Sequence, residues 1–324
     1  MSTIKDVAKV AGVSSTTVSR VLNNRGYLSS EIKQKVYQAM EELAYQPNEL
    51  ARALLNNKSN IIGLIFPSIT VPFHAELVQY IESLLRKNGY KIMLCLSLGD
   101  REKEKEYLRM LKMNQVDGII VGTHNDNIPD YNISNLPVVA IDRFLGDNVT
   151  TISCDNYAGG KMAVECLLEK GCKNIALLRG PSNLKKTLNK RTRAYIDIMK
   201  TYGLPTKIID ANLICSIEEK NKIIQEALAQ SDDIDGIFAT DDLLAALAIN
   251  IVKKTDKRIP EDIKIIGFDG AKMTLTYLPQ LATIQQPIET IAQTAVDLLL
   301  RKISGEQVED VIDLPVRLIE GEII

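Results

Sequence analysis

The chain contains no tryptophan, and its aromatic residues together make up only 5% of it, so the core has to be built mainly from aliphatic side chains. Histidine is nearly absent as well. Only His74 and His124 occur, and neither lies near a G-x-S-x-G nucleophile motif. No P-loop or G-x-G-x-x-G stands where a strand would meet a helix. Asp142, Asp155 and Asp269 could form a catalytic group, but nothing marks one as acid and another as base, so no enzyme activity is expected. The five cysteines (Cys95, Cys154, Cys166, Cys172, Cys215) are odd in number and scattered, with no C-x-x-C pair. That argues against a disulfide framework and a zinc site, and no metal or other cofactor is expected. Lys5, Asp6 and Lys9 interrupt any apolar signal region after Met1, and no apolar run approaches a membrane span. The expectation is a cytoplasmic protein without membrane contact.

Charge is unevenly placed. Residues 1–58 carry eight Lys or Arg and five Asp or Glu, a net +3 against −2 for the whole chain, which leaves −5 on the remainder. A basic amino-terminal arm suits phosphates, and an acidic remainder stays off them. Within the arm, residues 4–24 read IKDVAKVAGVSSTTVSRVLNN. Ile4, Val7, Ala8 and Ala11 fall at helical spacing, and Thr3 with Asp6 makes a capping box before them. Gly12 supplies a turn that needs a positive φ. A second short helix begins after the N-cap candidate Ser14, with Val18, Val21 and Leu22 facing inward. This small–turn–apolar spacing fits a helix-turn-helix, whose second helix enters the major groove; it also fits an ordinary αα-hairpin.

A third helix is expected from about Ser30 to Ala44, with Ile32, Val36, Met40 and Leu43 as its apolar stripe. Pro47 ends it, and Asn48 can cap the short stretch ELARALLNN. At about two turns that stretch is marginal in water and would fold only against a partner, such as its own copy in a dimer or DNA. The alternative is a passive linker.

From Asn60 onward strands and helices alternate. IIGLIF (61–66), KIMLCL (91–96), DGIIVG (117–122) and PVVAID (137–142) are near-continuous apolar runs, as expected of parallel strands covered on both faces. After Asp155 the pattern starts afresh with NIALLRG (174–180), DGIFAT (235–240) and IKIIGFD (263–269). Two successive α/β lobes fit better than one. Ligands bind such sheets at the carboxyl ends of their strands, where polar residues recur: Ser68, Asp142, Arg143, Asp155, Arg179, Asp241 and Asp269. Each could equally cap the helix that follows.

The runs IKDVAKVAGVSSTTVSRVLN and YQPNELARALLNNKSNIIGLIFPSI resemble the LacI/GalR family of bacterial repressors, and the resemblance continues to about Leu318. It implies an α/β fold with an N-terminal three-helix helix-turn-helix domain (1–47), a hinge helix and linker (48–59), and a two-lobed domain of parallel sheets like a periplasmic binding protein (60–324). The lobes would comprise about 60–158 with 289–316, and about 159–288 with 317–324, so that a last helix and strand return to the first lobe. By the same resemblance Ser15, Thr16 and Arg20 occupy base-reading positions. Arg20 can offer a fork to guanine or a contact to phosphate. Thr17 and Asn23 match positions near the DNA backbone, Tyr45 and Asn48 belong to the DNA-binding set, and Leu54 matches a leucine wedged into the minor groove or is an ordinary buried leucine. Two wedges require a two-fold dimer and a pseudo-palindromic operator.

In the large domain the resemblance places Arg191 at the effector-contacting arginine, three residues before an Ala194-Tyr195 pair that replaces the usual Gly-aromatic. Arg193 is expected at the surface or between the lobes. Asp241 stands where asparagine is usual, so a donor has become an acceptor. Asp269 matches the aspartate that contacts sugar hydroxyls, and Gln286 lies near the cleft in the return crossover QLATIQQP. With Ser68, Asp142, Arg143 and a flat wall from Phe73 or Phe144, such a pocket suits a sugar or sugar phosphate. The FDG…YLPQLATIQQPI stretch resembles sucrose-type repressors of Gram-positive sugar operons. The function implied is a dimeric repressor released from its operator by a sugar. A carbon regulator driven by a phosphorylated protein partner and a co-repressed family member share the same architecture.

Overall fold

The computed structural model describes residues 2–22, 26–46, 58–123, 125, 128, 131, 136–146, 148–180, 189–211 and 216–324. They fall into two compact units, Met1–Ser59 and Asn60–Ile324.

The first unit holds α1 (Ile4–Ala11), α2 (Ser15–Leu22) and α3 (Ser30–Glu42). The Thr3–Asp6 capping box forms in both directions, and Gly12 ends α1 in the left-handed region at φ 66°, where a Cβ would be strained. Ser14 Oγ accepts from the Thr17 amide at 3.1 Å and so starts α2. Val7, Ala8, Ala11, Val18, Val21, Val36 and Ala39 close on one another as the core. The small side chains of Ala8, Ala11 and Ala39 are what let three short helices pack this tightly.

The second unit is two parallel sheets with helices on their faces. Its elements, in chain order, are β1 (Ile61–Phe66), α4 (Pro72–Lys87), β2 (Lys91–Leu96), α5 (Arg101–Met113), β3 (Gly118–Val121), β4 (Val138–Ile141), β5 (Thr150–Cys154), α6 (Asn156–Glu169), β6 (Ile175–Arg179) and α7 (Asn189–Thr201). There follow β7 (Lys207–Asp210), α8 (Ile217–Ala229), β8 (Gly236–Ala239), α9 (Asp242–Val252), β9 (Lys264–Asp269), α10 (Lys272–Tyr277), β10 (Ala282–Gln285), α11 (Ile288–Ile303), β11 (Val311–Leu314) and β12 (Arg317–Ile319). The first sheet runs β11-β5-β4-β3-β1-β2 and the second β12-β10-β9-β8-β6-β7. Every pairing is parallel except that of β10 with β12. The chain therefore passes between sheets after β5, after β10 and after β11, and β11 pairs with β5 in the first sheet. Each sheet has an aliphatic core on both faces. Among the described residues no helix is long and apolar enough to cross a membrane.

One apolar run departs from the expectation of burial on both faces. KIMLCL forms β2 at the edge of the first sheet, where only Cys95 is buried and Leu94 is exposed. Hydrophobicity alone does not distinguish an edge strand from a central one. The short β7, β12 and α10 carry too few residues to show a period, and β10 lies hidden within the crossover segment.

Among the described residues, contacts at two places tie the lobes together. The backbone amide of Lys272, at the start of α10, donates to Glu76 on α4 at 2.7 Å, and Ala271 belongs to the first lobe's core. On another side Lys190 of α7 pairs with Asp313 of β11 at 3.4 Å.

Helices α6 and α7 approach so closely that a Cβ on Gly160 would lie 2.9 Å from the Arg191 carbonyl oxygen and 3.1 Å from Ala194 Cβ. Gly160→Ala would gain about 1 kcal/mol of helix propensity, but the overpacking against backbone costs about 1–3 kcal/mol. A net loss of stability is expected, read as a lower urea midpoint; an unchanged or higher midpoint would show that the helices can separate freely.

Candidate functional site

In the first unit the solvent face of α2 presents Thr16 and Arg20, one helical turn apart and both exposed, with Ser15 and Thr17 half-buried beside them. Val18 and Val21 turn inward, so the polar face is fixed by the apolar one. The Arg20 guanidinium lies over Gly26, where a Cβ would collide with it. Tyr45 is half-buried against the three-helix core, and its amide donates to the Met40 carbonyl at 2.8 Å. Asn23, Asn48 and Leu54, together with residues 47–57 and so most of the hinge and linker 48–59, lie outside the described residues.

In the second unit the carboxyl ends of β1, β3 and β4 from one sheet meet those of β6, β8 and β9 from the other around a cavity of about 130 Å³. A single water needs roughly a tenth of that space, so the cavity has small-molecule dimensions. Phe66, Phe73, Leu77 and Ile141 give the first lobe's side an apolar wall. His74 packs edge-on against Phe66 and Phe73, with centroids 5.9 and 5.5 Å apart. Burial lowers its pKa to about 4, which keeps it a neutral part of that wall.

The polar groups converge from both lobes. Asp142 and Arg143 follow β4, Arg191 comes from α7, Asp241 from the β8–α9 junction, Asp269 ends β9, and Gln286 lies in the crossover. Both Asp142 (φ 59°) and Asp269 (φ 122°) have positive φ, a backbone that a side chain other than glycine's adopts at a cost and that recurs at binding sites. Arg191 is buried. Its Nε donates to Asn156 Oδ1 at 2.7 Å and its Nη1 to the Thr240 carbonyl at 2.5 Å. Nη1 also lies 3.9 Å from Asp269 Oδ1, and the guanidinium stacks 3.4 Å from the Phe268 ring centroid. Gln286 Nε2 donates to Asp269 Oδ1 at 2.7 Å. Burial pushes the carboxyls of Asp142, Asp241 and Asp269 up, and Arg191 draws all three back. Asp142 Oδ1 and Gln286 Oε1 are buried and meet no donor among the described residues.

Some expected residues do not take part. Ser68 is not in the cavity wall, because its hydroxyl turns to Thr70 at 2.8 Å. Phe144 is half-exposed and is not in the cavity wall, whose phenylalanines are Phe66 and Phe73. Asp155 caps α6 by accepting from Ala158. Asp241 caps α9 by accepting from Leu244 at 2.8 Å, and it also lines the cavity. Arg193 lies at the surface, paired with Asp197.

Other groups were not singled out by the sequence. Lys220 of α8 is buried in the wall beside Arg179, Thr192 and Thr240. In SIEEKNKIIQ a lysine reads as wet-face surface, and only long-range packing buries it. Arg179, which the strand-end pattern does single out, also reaches the wall and is held by Asp210 at 2.5 Å. The cavity wall thus holds three arginines (Arg143, Arg179 and Arg191) and a lysine.

Behind the wall, Asp242 accepts from Thr283 Oγ1 at 2.6 Å and from the Gly270 amide at 2.8 Å. Burial raises its pKa to about 7, with Asp241 adding to the rise and Arg191 opposing it. A carboxyl raised in the fold favours its protonated form, so its stabilisation is complete below the unfolded-state value near 4 and is lost as pH rises through about 7. Against Asp242→Asn, which cannot titrate, the wild type should lose relative stability from about pH 4 to 7 and then level off. Urea midpoints across that range test this; a difference independent of pH would show that Asp242 is ionised throughout.

Comparison with known proteins places this geometry in context. Residues 59–322 match the family of periplasmic binding proteins and sugar binding domain of LacI family, and residues 3–48 match the bacterial regulatory proteins of the lacI family. A sucrose operon repressor from Pediococcus pentosaceus is 41% identical over 320 residues, covering 98% of each chain. A periplasmic binding protein/LacI transcriptional regulator from Alkaliphilus metalliredigens, solved with D-xylulofuranose, is 34% identical with a TM-score of 0.74, over 82% of this chain and 98% of that one. The lac repressor dimer bound to operator and the anti-inducer ONPF is 26% identical with a TM-score of 0.86, over 99% and 98%.

Proposed function

The chain belongs to the lacI family of bacterial regulatory proteins, and on that footing we propose that it represses a sugar-utilisation operon and leaves its operator when a sugar or sugar phosphate fills the cavity. The observation that carries the ligand reading is the pair of buried acceptors, Asp142 Oδ1 and Gln286 Oε1, that meet no donor among the described residues. Each costs about 1–3 kcal/mol while it lacks a hydrogen bond, and the hydroxyls of a polyol supply donors. The Phe73 wall would cover the apolar face of a sugar ring, while Arg143, Arg179, Arg191 and Lys220 give an anionic substituent somewhere to go.

On DNA, Ser15, Thr16 and Arg20 read base edges, and Thr17, Asn23, Tyr45 and Asn48 fix the register. Leu54 wedges the minor groove at the centre of a pseudo-palindromic site occupied by a dimer. The protein performs no chemistry on its ligand and works in the cytoplasm. Effector and operator act on one equilibrium, so a coupling of about 1–3 kcal/mol suffices for a 5- to 150-fold response.

The test is a thermal-shift screen of mono- and disaccharides and their phosphates, followed by operator binding in the presence of each hit. Stabilisation by at least one sugar, with weakened operator binding, is expected; stabilisation that tightens operator binding would mean co-repression. Arg20→Ala should reduce the preference for operator over random DNA by about 10- to 100-fold, measured by fluorescence anisotropy, and an unchanged ratio would make Arg20 a phosphate contact. Asp269→Ala should abolish the sugar response while operator affinity without sugar stays within about twofold; loss of both would make Asp269 a structural residue.

A further inference from the structure

Helix α5 carries a carboxylate on its inward face. In REKEKEYLRMLKM the buried positions are Glu104, Leu108 and Leu111, the i, i+4, i+7 stripe that an amphipathic helix fills with apolar residues. The neighbouring Glu102 and Glu106 are exposed, whereas Glu104 has no exposed surface. A buried carboxylate is costly unless donors surround it, and here three do. Thr123 Oγ1 and Asn125 Nδ2 (2.8 Å) donate to Oε2, and the Tyr131 hydroxyl donates to Oε1 at 2.9 Å.

All three donors belong to the chain that leaves β3 at its carboxyl end, the end that faces the ligand cavity. Thr123 is a cavity residue. Its hydroxyl, committed as a donor to Glu104, also accepts from the Asn125 amide at 2.9 Å. Its carbonyl accepts from Arg143 Nε at 3.2 Å, and Arg143 is itself a buried cavity residue. A continuous chain of hydrogen bonds therefore runs from a helix outside the cavity, through Thr123, to a guanidinium in its wall.

A carboxylate only accepts, which fixes the direction of every bond around it. Leucine at this position would complete the apolar stripe and remove the acceptor that the Asn125 amide and the two hydroxyls share. Packing alone gives no reason for a charge here; orienting the segment after β3 does. We propose that Glu104 is a positioning residue of the effector site: it touches no ligand, but it holds Thr123 so that the Thr123 carbonyl aims the Arg143 guanidinium into the cavity. The consequence for ligand affinity rests on the sugar-effector reading above; the geometric claim about Arg143 does not.

The two parts separate in one experiment on the full chain. Glu104→Leu removes the acceptor. Glu104→Gln preserves it, because the amide oxygen can serve Thr123 and Asn125 while the Tyr131 hydroxyl turns to accept from the amide nitrogen. In protein labelled with ¹⁵N-arginine and free of ligand, the Arg143 Nε–H signal, assigned with Arg143→Lys, should exchange with solvent at least about tenfold faster in Glu104→Leu and within about twofold of wild type in Glu104→Gln. Unchanged exchange in a Glu104→Leu protein that still binds operator overturns the proposal. If that variant does not fold, Tyr131→Phe, which deletes one donor and keeps the core filled, should show a smaller increase in the same signal, and no increase overturns the proposal equally.

Titration calorimetry with sucrose and with D-ribose forms the second arm. Whichever sugar binds the wild type should bind Glu104→Leu about tenfold more weakly and Glu104→Gln nearly normally, with operator affinity unaltered. Equal weakening in both variants would overturn the positioning role. Failure of both sugars to bind the wild type would count against the ligand reading alone, since the exchange of Arg143 is measured without ligand.

Discussion

The carboxyl groups of Asp142, Asp241, Asp242 and Asp269 are all buried, and each is drawn toward ionisation by the guanidinium of Arg191 against the pull of its own burial. Asp142 belongs to the first lobe and the other three to the second, so one cation serves both lobes. A buried charge stripped of its partner costs several kcal/mol, so the Arg191 guanidinium depends on the acceptors and acidic groups gathered around it. The guanidinium is held by Asn156, by the Thr240 carbonyl and by the face of Phe268. The backbone that carries it is held in turn by Gly160. A helix crossing that would elsewhere be a matter of packing density sets the geometry of the cavity here.

How much of this was legible in the sequence depends on the range of the interactions involved. The helix-turn-helix is written in local spacing: Thr3 to Asp6, Gly12, and Val18 with Val21 are separated by a few residues, and one-dimensional periodicity captures them. The strands that end at Phe66, Arg179 and Asp269 were visible as apolar runs with a polar residue at or just after their ends. Asp142, Arg143, Arg191, Asp241, Asp269 and Gln286 line the cavity wall; Asp142, Arg143, Asp241 and Asp269 sit at strand ends, whereas Arg191 and Gln286 are placed only by family resemblance. What local patterns could not supply was side-chain direction. Ser68 sits at the right strand end but turns to Thr70, and Phe144 stays half-exposed.

Lys220 and Glu104 are instructive opposites. Lys220 looks like a surface lysine because its helix is rich in charge, and only its packing against the second lobe buries it. Glu104 does leave a trace, a carboxylate in register with Leu108 and Leu111, which a search for polar residues on apolar stripes would find. Such a search asks which side chain breaks the period rather than which motif is present. Position along the chain also matters: residues 104, 123, 131 and 143 are brought together by the tertiary fold, and no local pattern links them.

The contacts that tie the lobes together, the Lys272 amide on Glu76 and the Lys190 pair with Asp313, bear on time as well as on structure. Asp269, Arg191 and Gln286 are buried between the lobes, and a parting of those ties would expose them. Lobe motions of this kind take microseconds to milliseconds, far longer than a small molecule takes to diffuse across the cavity. Were ligand exchange to require such a motion, it would be clocked by the protein and not by collision. A site gated in that way would respond to the average of a fluctuating concentration over its opening time.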